Sequence, residues 1–314
     1  TVHDYYGMGK GQIESLNGRK LHNLGFMGQG MTIAVLDAGF MNVDKIAAFR
    51  NLNIKGTHNF VAGYDNDVYK EMDHGTKTLS TIAMNQPTVF VGTAPKADFW
   101  LLRTEDYSTE SPAEEDFWIA AVEFSDSVGV DIISSSLGYH GFDDISMNYR
   151  YADLNGRTAA ISQAASRLAS KGMILVNSAG NDGMGTWKKI NVPADAHDIL
   201  TVGAVSLDKV NAPFSSIGPT ADGRIKPDVM AYGCPTNVVS GRGYIIPDNG
   251  TSFACPLIAG MVACLWQACP NKSAKEILDI VRQSGNNCQS PDNIMGYGIP
   301  DFWSAYQSAT RYNQ

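Results

Sequence analysis

Hydrophobic and polar positions along the chain fall into two alternating rhythms. Short apolar runs recur at MTIAVLD (31–37), ADFWLLR (97–103), VDIISSSLG (130–138), MILVNSAGN (173–181) and DILTVGAV (198–205). They have strand length and are largely unbroken by polar residues, the pattern of strands covered on both faces. Between them lie stretches with helical spacing, AEEDFWIAAVEFSDS (113–127) and TAAISQAASRLASKG (158–172). A third apolar stretch follows Ser252. Its longest run, 257–266, has the length of a core helix and falls short of the ~20 residues a membrane span needs. A last helix is predicted from Ser273, with Ser273 as N-cap and Glu276 at the capping-box position. Strand and helix in alternation predict an α/β fold, a three-layer sandwich with a mostly parallel central sheet. There is no internal repeat, low-complexity stretch or linker, so residues 1–314 read as a single domain.

Composition narrows this picture. With 44% hydrophobic residues the chain can bury a large core, and a net charge of −8 argues against nucleic acid or an anionic membrane as partner. The chain opens at Thr1 without an initiator Met or signal peptide, as expected of a processed fragment. Its five cysteines include no closely spaced pairs of the zinc-binding kind. Cys255 and Cys264, inside the apolar helix, are expected to be buried thiols, whereas Cys269 and Cys288 could pair in an exported protein.

Polar residues stand where the strands end, and in open α/β sheets sites gather at the carboxyl ends of strands. Asp37 closes the first run; it is either a turn cap beside Gly39 or a site acid. His74 follows Asp73, a candidate helix cap, and is either structural or a base. Asn181 sits between Gly180 and Gly183, as a left-handed turn residue or as a hydrogen-bond donor toward a developing oxyanion. Ser252 is either the N-cap of the apolar helix or a nucleophile at its positive end, with Gly250 allowing close backbone approach and Pro256 tolerated in the first turn. Taken together, the chain order Asp, His, Ser is the order of subtilisin and differs from that of chymotrypsin and of the α/β-hydrolases.

Over almost its whole length the sequence resembles the subtilisin-like serine proteases (subtilases). GQGMTIAVLDAGF resembles the family's Asp motif, DHGT its His motif, SAGN its oxyanion motif and GTSFACP its nucleophile motif. SSSLG (134–138) resembles a wall of the specificity pocket, and FSSIGPTADGRIKPDVMAYG (214–233) and GYGIPDFWSAY also fit. Three features depart from the pattern: Ala38 replaces the usual Ser or Thr, Lys77 replaces a second histidine, and MNQPTVFVGTAP, which corresponds to the loop of the family's strong calcium site, contains a proline and no Asp or Glu.

The resemblance implies a secreted or cell-envelope endopeptidase with Asp37, His74 and Ser252 as triad, and with Asn181 and the Ser252 N–H as oxyanion donors. It implies no cofactor beyond an optional structural calcium, a protein or peptide substrate, and an inhibitory propeptide. The substrate would lie extended between Ser136–Gly138 and the segment after Arg103. Ser136, Leu137, Gly138, Ser178, Ala179 and Gly180 would line an apolar pocket with Asn191 near its base. Glu105, Asp106 and Asp182 would either favour basic residues at neighbouring subsites or be merely solvated. The alternatives are a sedolisin-type carboxyl protease, an inactive scaffold and an esterase.

Overall fold

The structure is a computed structural model and describes residues 3–311. Two short helices open the chain, α1 (Lys10–Ser15) and α2 (Arg19–Asn23), and lead to β1 (Thr32–Asp37) and β2 (Asn53–Asn59). Then come α3 (His74–Ala83), the two-residue strands β3 (Asn85–Gln86) and β4 (Phe90–Val91), β5 (Asp98–Arg103), α4 (Ala113–Ser127) and β6 (Ile132–Ser135). The second half runs α5 (Ala160–Ser166), β7 (Ile174–Ser178), β8 (Leu200–Ser206), β9 (Val229–Cys234), the hairpin β10 (Thr236–Val239) and β11 (Ile245–Asp248), α6 (Thr251–Ala268), α7 (Ala274–Gln283) and α8 (Phe302–Thr310).

Seven strands form one sheet in the order β2-β5-β1-β6-β7-β8-β9, and every neighbouring pair in it is parallel. From β1 the chain runs out to the edge strand β2, returns to β5 between the two, and then crosses to the other side of β1 at β6. The carboxyl ends of β1 and β6 therefore flank the point where the winding reverses, where a crevice opens in such sheets.

The pleat explains the two cores. Along β1, Ile33 and Val35 pack with α3 and α6, while Ala34 and Leu36 face the opposite way into the cluster built by α4 and α5. The sheet is thus covered on both faces, as its apolar strands predict. Helix α6 is buried from Thr251 through Leu265, which explains why it is apolar all round. It is long and apolar enough to pass as a membrane span, yet 78% of it is buried against the rest of the protein.

The capping box at Ser273 forms as read: Ser273 Oγ accepts from the Glu276 amide, and the Glu276 carboxylate accepts from the Ser273 amide. The helix expected over 158–172 is shorter, ending at Ser166 before a separate turn at Ala169–Lys171. The Ser166 hydroxyl is used outside the helix, donating to the Gly156 carbonyl and accepting from the His197 amide. Cys269 and Cys288, which could pair in an exported protein, do not, and all five cysteines are free. Cys255 and Cys264 are buried, and burial pushes the Cys255 thiol up to about 12, so neither is poised as a nucleophile.

Candidate active site

Asp37 is the last residue of β1 and is fully buried. Its carboxylate is held from three directions. The Ala38 amide donates to Oδ1 at 2.7 Å, the Thr78 hydroxyl donates to Oδ2 at 3.1 Å, and His74 Nδ1 lies 2.7 Å from Oδ1. Ala38 has no hydroxyl to offer, but its backbone and Thr78 serve the carboxylate. The cap reading of Asp37 is therefore replaced by that of an acid aimed at an imidazole.

His74 is the first residue of α3, and its N-cap is Asp73. Asp73 occupies the cap position without capping through its side chain, because its carboxylate accepts from the Gly241 amide instead. Lys77 pairs with Asp248 at 3.0 Å and so ties α3 to β11, a packing role where the family pattern has histidine. Burial favours a neutral His74 ring, but the charge and hydrogen bond of Asp37 outweigh it and raise the imidazole above its ordinary 6.5.

Ser252 is not a helix cap. Gly250 holds that position at φ 153° and ψ 151°, a conformation open essentially to glycine alone, and Ser252 is the second residue of α6. Pro256 is the sixth helical residue, beyond the tolerant first turn where it was expected. Lacking an N–H, it leaves the Ser252 carbonyl without its i+4 donor, and Ser136 Oγ supplies one at 2.7 Å. The Ser252 hydroxyl lies 3.4 Å from the Ser136 carbonyl oxygen and makes no hydrogen bond to His74, although both residues line one cleft. Such contacts are often loose before substrate arrives.

Asn181 lies past the end of β7 and lines the same cleft. It is not a left-handed turn residue; Gly180 is, at φ 111°. The Thr251 amide and hydroxyl both donate to Asn181 Oδ1 at 2.9 Å. With its oxygen anchored, the side chain has its two N–H donors left for the cleft.

Ser136, Leu137, Gly138, Ser178 and Gly180 line the cleft as read, and so does Asn191. Ala179 does not: alternation along the strand end turns it into the core, where it is fully buried. Asn191 hydrogen-bonds His140 through Oδ1 at 3.0 Å, and His140 in turn stacks on Trp187. Glu105 is buried rather than solvated and lines the cleft, as does Asp182, whereas Asp106 does not.

Sequence reading missed Thr251, Thr78, Tyr107, Tyr139, Glu110 and Glu114. Thr251 carried a signal, as the polar neighbour inside GTS. Thr78 and Tyr139 lie just past the DHGT and SSSLG motifs, and Tyr107, Glu110 and Glu114 lie on a segment without one.

Residues 28–298 match the Subtilase family profile. Subtilisin NAT of Bacillus subtilis subsp. natto is 28% identical over 280 residues, covering 88% of this chain, and the match spans 66% of that relative's length. Subtilisin Savinase of Lederbergia lenta is also 28% identical, with coverages of 88% and 91%. Among solved structures, a protease from Pseudoalteromonas arctica superposes with a TM-score of 0.75 at 20% identity, covering 98% of this chain and 100% of that one. MycP1 with its N-terminal propeptide removed superposes with a TM-score of 0.72 at 20% identity, with coverages of 94% and 96%. With an Asp–His pair at the sheet rim, a serine at the start of the central helix and a family profile spanning most of its length, this chain belongs to the subtilase family.

Proposed function

We propose that this chain is a serine endopeptidase acting through Asp37, His74 and Ser252, with residues 1–314 working as one peptidase domain. The observation that carries the reading is the buried Asp37–His74 hydrogen bond, on an imidazole that shares its cleft with a serine at a helix N-terminus. The scissile peptide lies extended in the cleft, between Ser136–Gly138 and the segment after Arg103. As Ser252 Oγ attacks the carbonyl carbon, its proton passes to His74 Nε2. Asp37 keeps the ring oriented through Nδ1–H and stabilises its cationic form. The negative charge collects on the former carbonyl oxygen, facing the Asn181 amide and the Ser252 N–H. Collapse expels the amine, which takes the proton from His74, and leaves an acyl-enzyme. Water then attacks through the same base and releases the acid.

Every transfer runs between side chains and substrate, so the chemistry requires neither a metal nor an organic cofactor. The stretch 84–95 carries no carboxylate, so a calcium ion there would have only carbonyl, amide and hydroxyl oxygens of that stretch and no charge to balance its own. Small residues at Ser136, Gly138, Ser178 and Gly180, with Leu137 the one apolar side chain among them, leave room for a side chain beside the cleaved bond. Export from a bacterial cell, and an inhibitory propeptide as partner, complete the reading by analogy with the bacterial subtilisins and with MycP1.

A fluorophosphonate probe tests it: Ser252 is labelled in the wild-type chain and nothing is labelled in Ser252→Ala. Wild-type protein that resists the probe defeats the assignment. Casein hydrolysis near neutral pH separates the endopeptidase from an esterase and from a carboxyl protease. Because Asp37 raises His74, kcat/KM climbs with pH through a titration above the ordinary 6.5, as the ring gives up the proton that blocks it.

A further inference from the structure

Beside the triad, one wall of the cleft is built from acids that the chemistry above does not use. Glu105 and Glu110 line it, and Glu114 stands behind them on the first turn of α4. One carboxylate oxygen from each lies within 4.8 Å of the others. Glu105 is 3% exposed and accepts a hydrogen bond from the Tyr139 hydroxyl. Glu114 is 1% exposed, and neither of its carboxylate oxygens has a hydrogen-bond partner. Among the described residues, no Lys, Arg or His nitrogen comes within 4.0 Å of any of the three.

A buried carboxylate without a cation is expensive, because nothing offsets the water it has lost. Either protons or an incoming positive charge must neutralise the group. The chain itself supplies no such charge, and the group opens onto the cleft that holds Ser252. Tyr107 and Leu137 line the same cleft and offer apolar surface along which a hydrocarbon stem can lie. A bare divalent ion has no use for that surface. Calcium also wants six to eight oxygens (about twice what three carboxylates give in monodentate contact), and one Glu105 oxygen is already taken by Tyr139. A planar guanidinium can bridge two carboxylates at once, which a point-like ammonium cannot do as well.

We propose that Glu105 and Glu110, backed by Glu114, form an acidic subsite that receives a basic side chain of the peptide substrate, arginine in preference to lysine. This rests on the endopeptidase reading. The proton affinities agree with it. Burial first, and then the neighbouring Glu114 carboxylate, raise Glu105; burial and then Glu114 and Asp143 bring Glu110 up to about 7. The group is therefore primed to exchange a proton for a ligand's charge.

The experiment uses the Ser252→Ala chain, which keeps peptides uncleaved, and calorimetry. Peptides carry arginine, or its neutral isostere citrulline, in turn at each position on the acyl side of the bond. At one position, arginine binds about tenfold more tightly than citrulline at pH 8, and that ratio falls toward one when Glu110→Gln or Glu110→Asp is added. The half-buried Glu110 makes these mild changes for folding, and circular dichroism of each variant checks it. A ratio near one at every position overturns the subsite, and so does a ratio that survives both substitutions. Calcium chloride titrated alone that binds with Glu110-dependent affinity and does not compete with the arginine peptide also overturns it, in favour of a metal site. Cleavage of the citrulline peptides by the wild-type chain is scored separately. Its absence defeats the endopeptidase reading, whereas the binding ratio alone decides the subsite.

Discussion

Two buried charge clusters sit at opposite ends of the sheet and are built on opposite terms. At the amino ends of β8 and β9, Asp228 is completely provided for. Its Oδ2 accepts from Lys226 Nζ and from the Thr201 amide, each at 2.7 Å, and its Oδ1 accepts from Arg282 Nε at 2.9 Å. Lys226 also donates to the Thr201 hydroxyl, and Arg282 to the Ile199 carbonyl. Burial would raise the Asp228 carboxyl, but Lys226 and Arg282 overcome this and hold it below the usual carboxylate range. At the carboxyl rim, Glu105, Glu110 and Glu114 face one another with no cation supplied. The first cluster pairs its own charges and joins strands to α7; the second is left without a cation beside the cleft. Where the chain completes its own charges it is holding its fold, and where it leaves them incomplete it has left room for something else.

That contrast can be tested from both ends. The largest expected effect is at the rim. Ser252→Ala lowers kcat by about 10⁶, the scale known for the nucleophile of a subtilisin, and leaves the urea unfolding midpoint where it was. Appreciable residual turnover would break the assignment. At the opposite end, Asp228→Ala strands two buried cations. It costs about 3–5 kcal/mol of stability, read from urea unfolding, with kcat/KM per folded molecule unchanged. Loss of activity without loss of stability would reverse the comparison. Next comes Asn181→Leu, which lowers kcat roughly 10²–10³-fold with KM nearly constant, again the scale of a subtilisin asparagine. An unaltered kcat would remove the oxyanion role.

The smallest effect concerns pH. The rim acids hold protons in the folded chain that the unfolded chain has already released. The unfolded state therefore binds fewer protons above the ordinary carboxylate range, and stability falls as pH rises toward about 7, the value for Glu110. Glu114→Gln removes one member, so its Tm advantage over wild type is about 2 °C at pH 8 and vanishes near pH 4. Thermal scans at the two pH values measure it; an equal shift at both would mean that the acids are not coupled to folding.

Much of this was legible in the chain because the relevant signals are local. The apolar strands β1, β5, β6, β7 and β8 announce themselves, and Asp37, His74, Asn181 and Ser252 each sit in a short motif at an element's end. Strand β2 gives no such signal: its sequence NIKGTHN is polar, and it lies at the sheet edge, half exposed. Ala179 was misplaced because a motif names neighbours without saying which way each side chain points. Glu110 and Glu114 were missed because only folding brings their carboxylates together. Their spacing also fits an ordinary solvated helix start, and acids are favourable there. The exception among the distant contacts is Thr251, whose neighbours in the motif already hinted at its role.

The proline in α6 reaches further than its helix. By freeing the Ser252 carbonyl, Pro256 lets the hydroxyl of Ser136, just past β6, fasten the start of α6 to the cleft wall. If Ser252 is the nucleophile proposed above, its aim is coupled to that wall through this bond, so a peptide that shifts the wall also re-aims the serine.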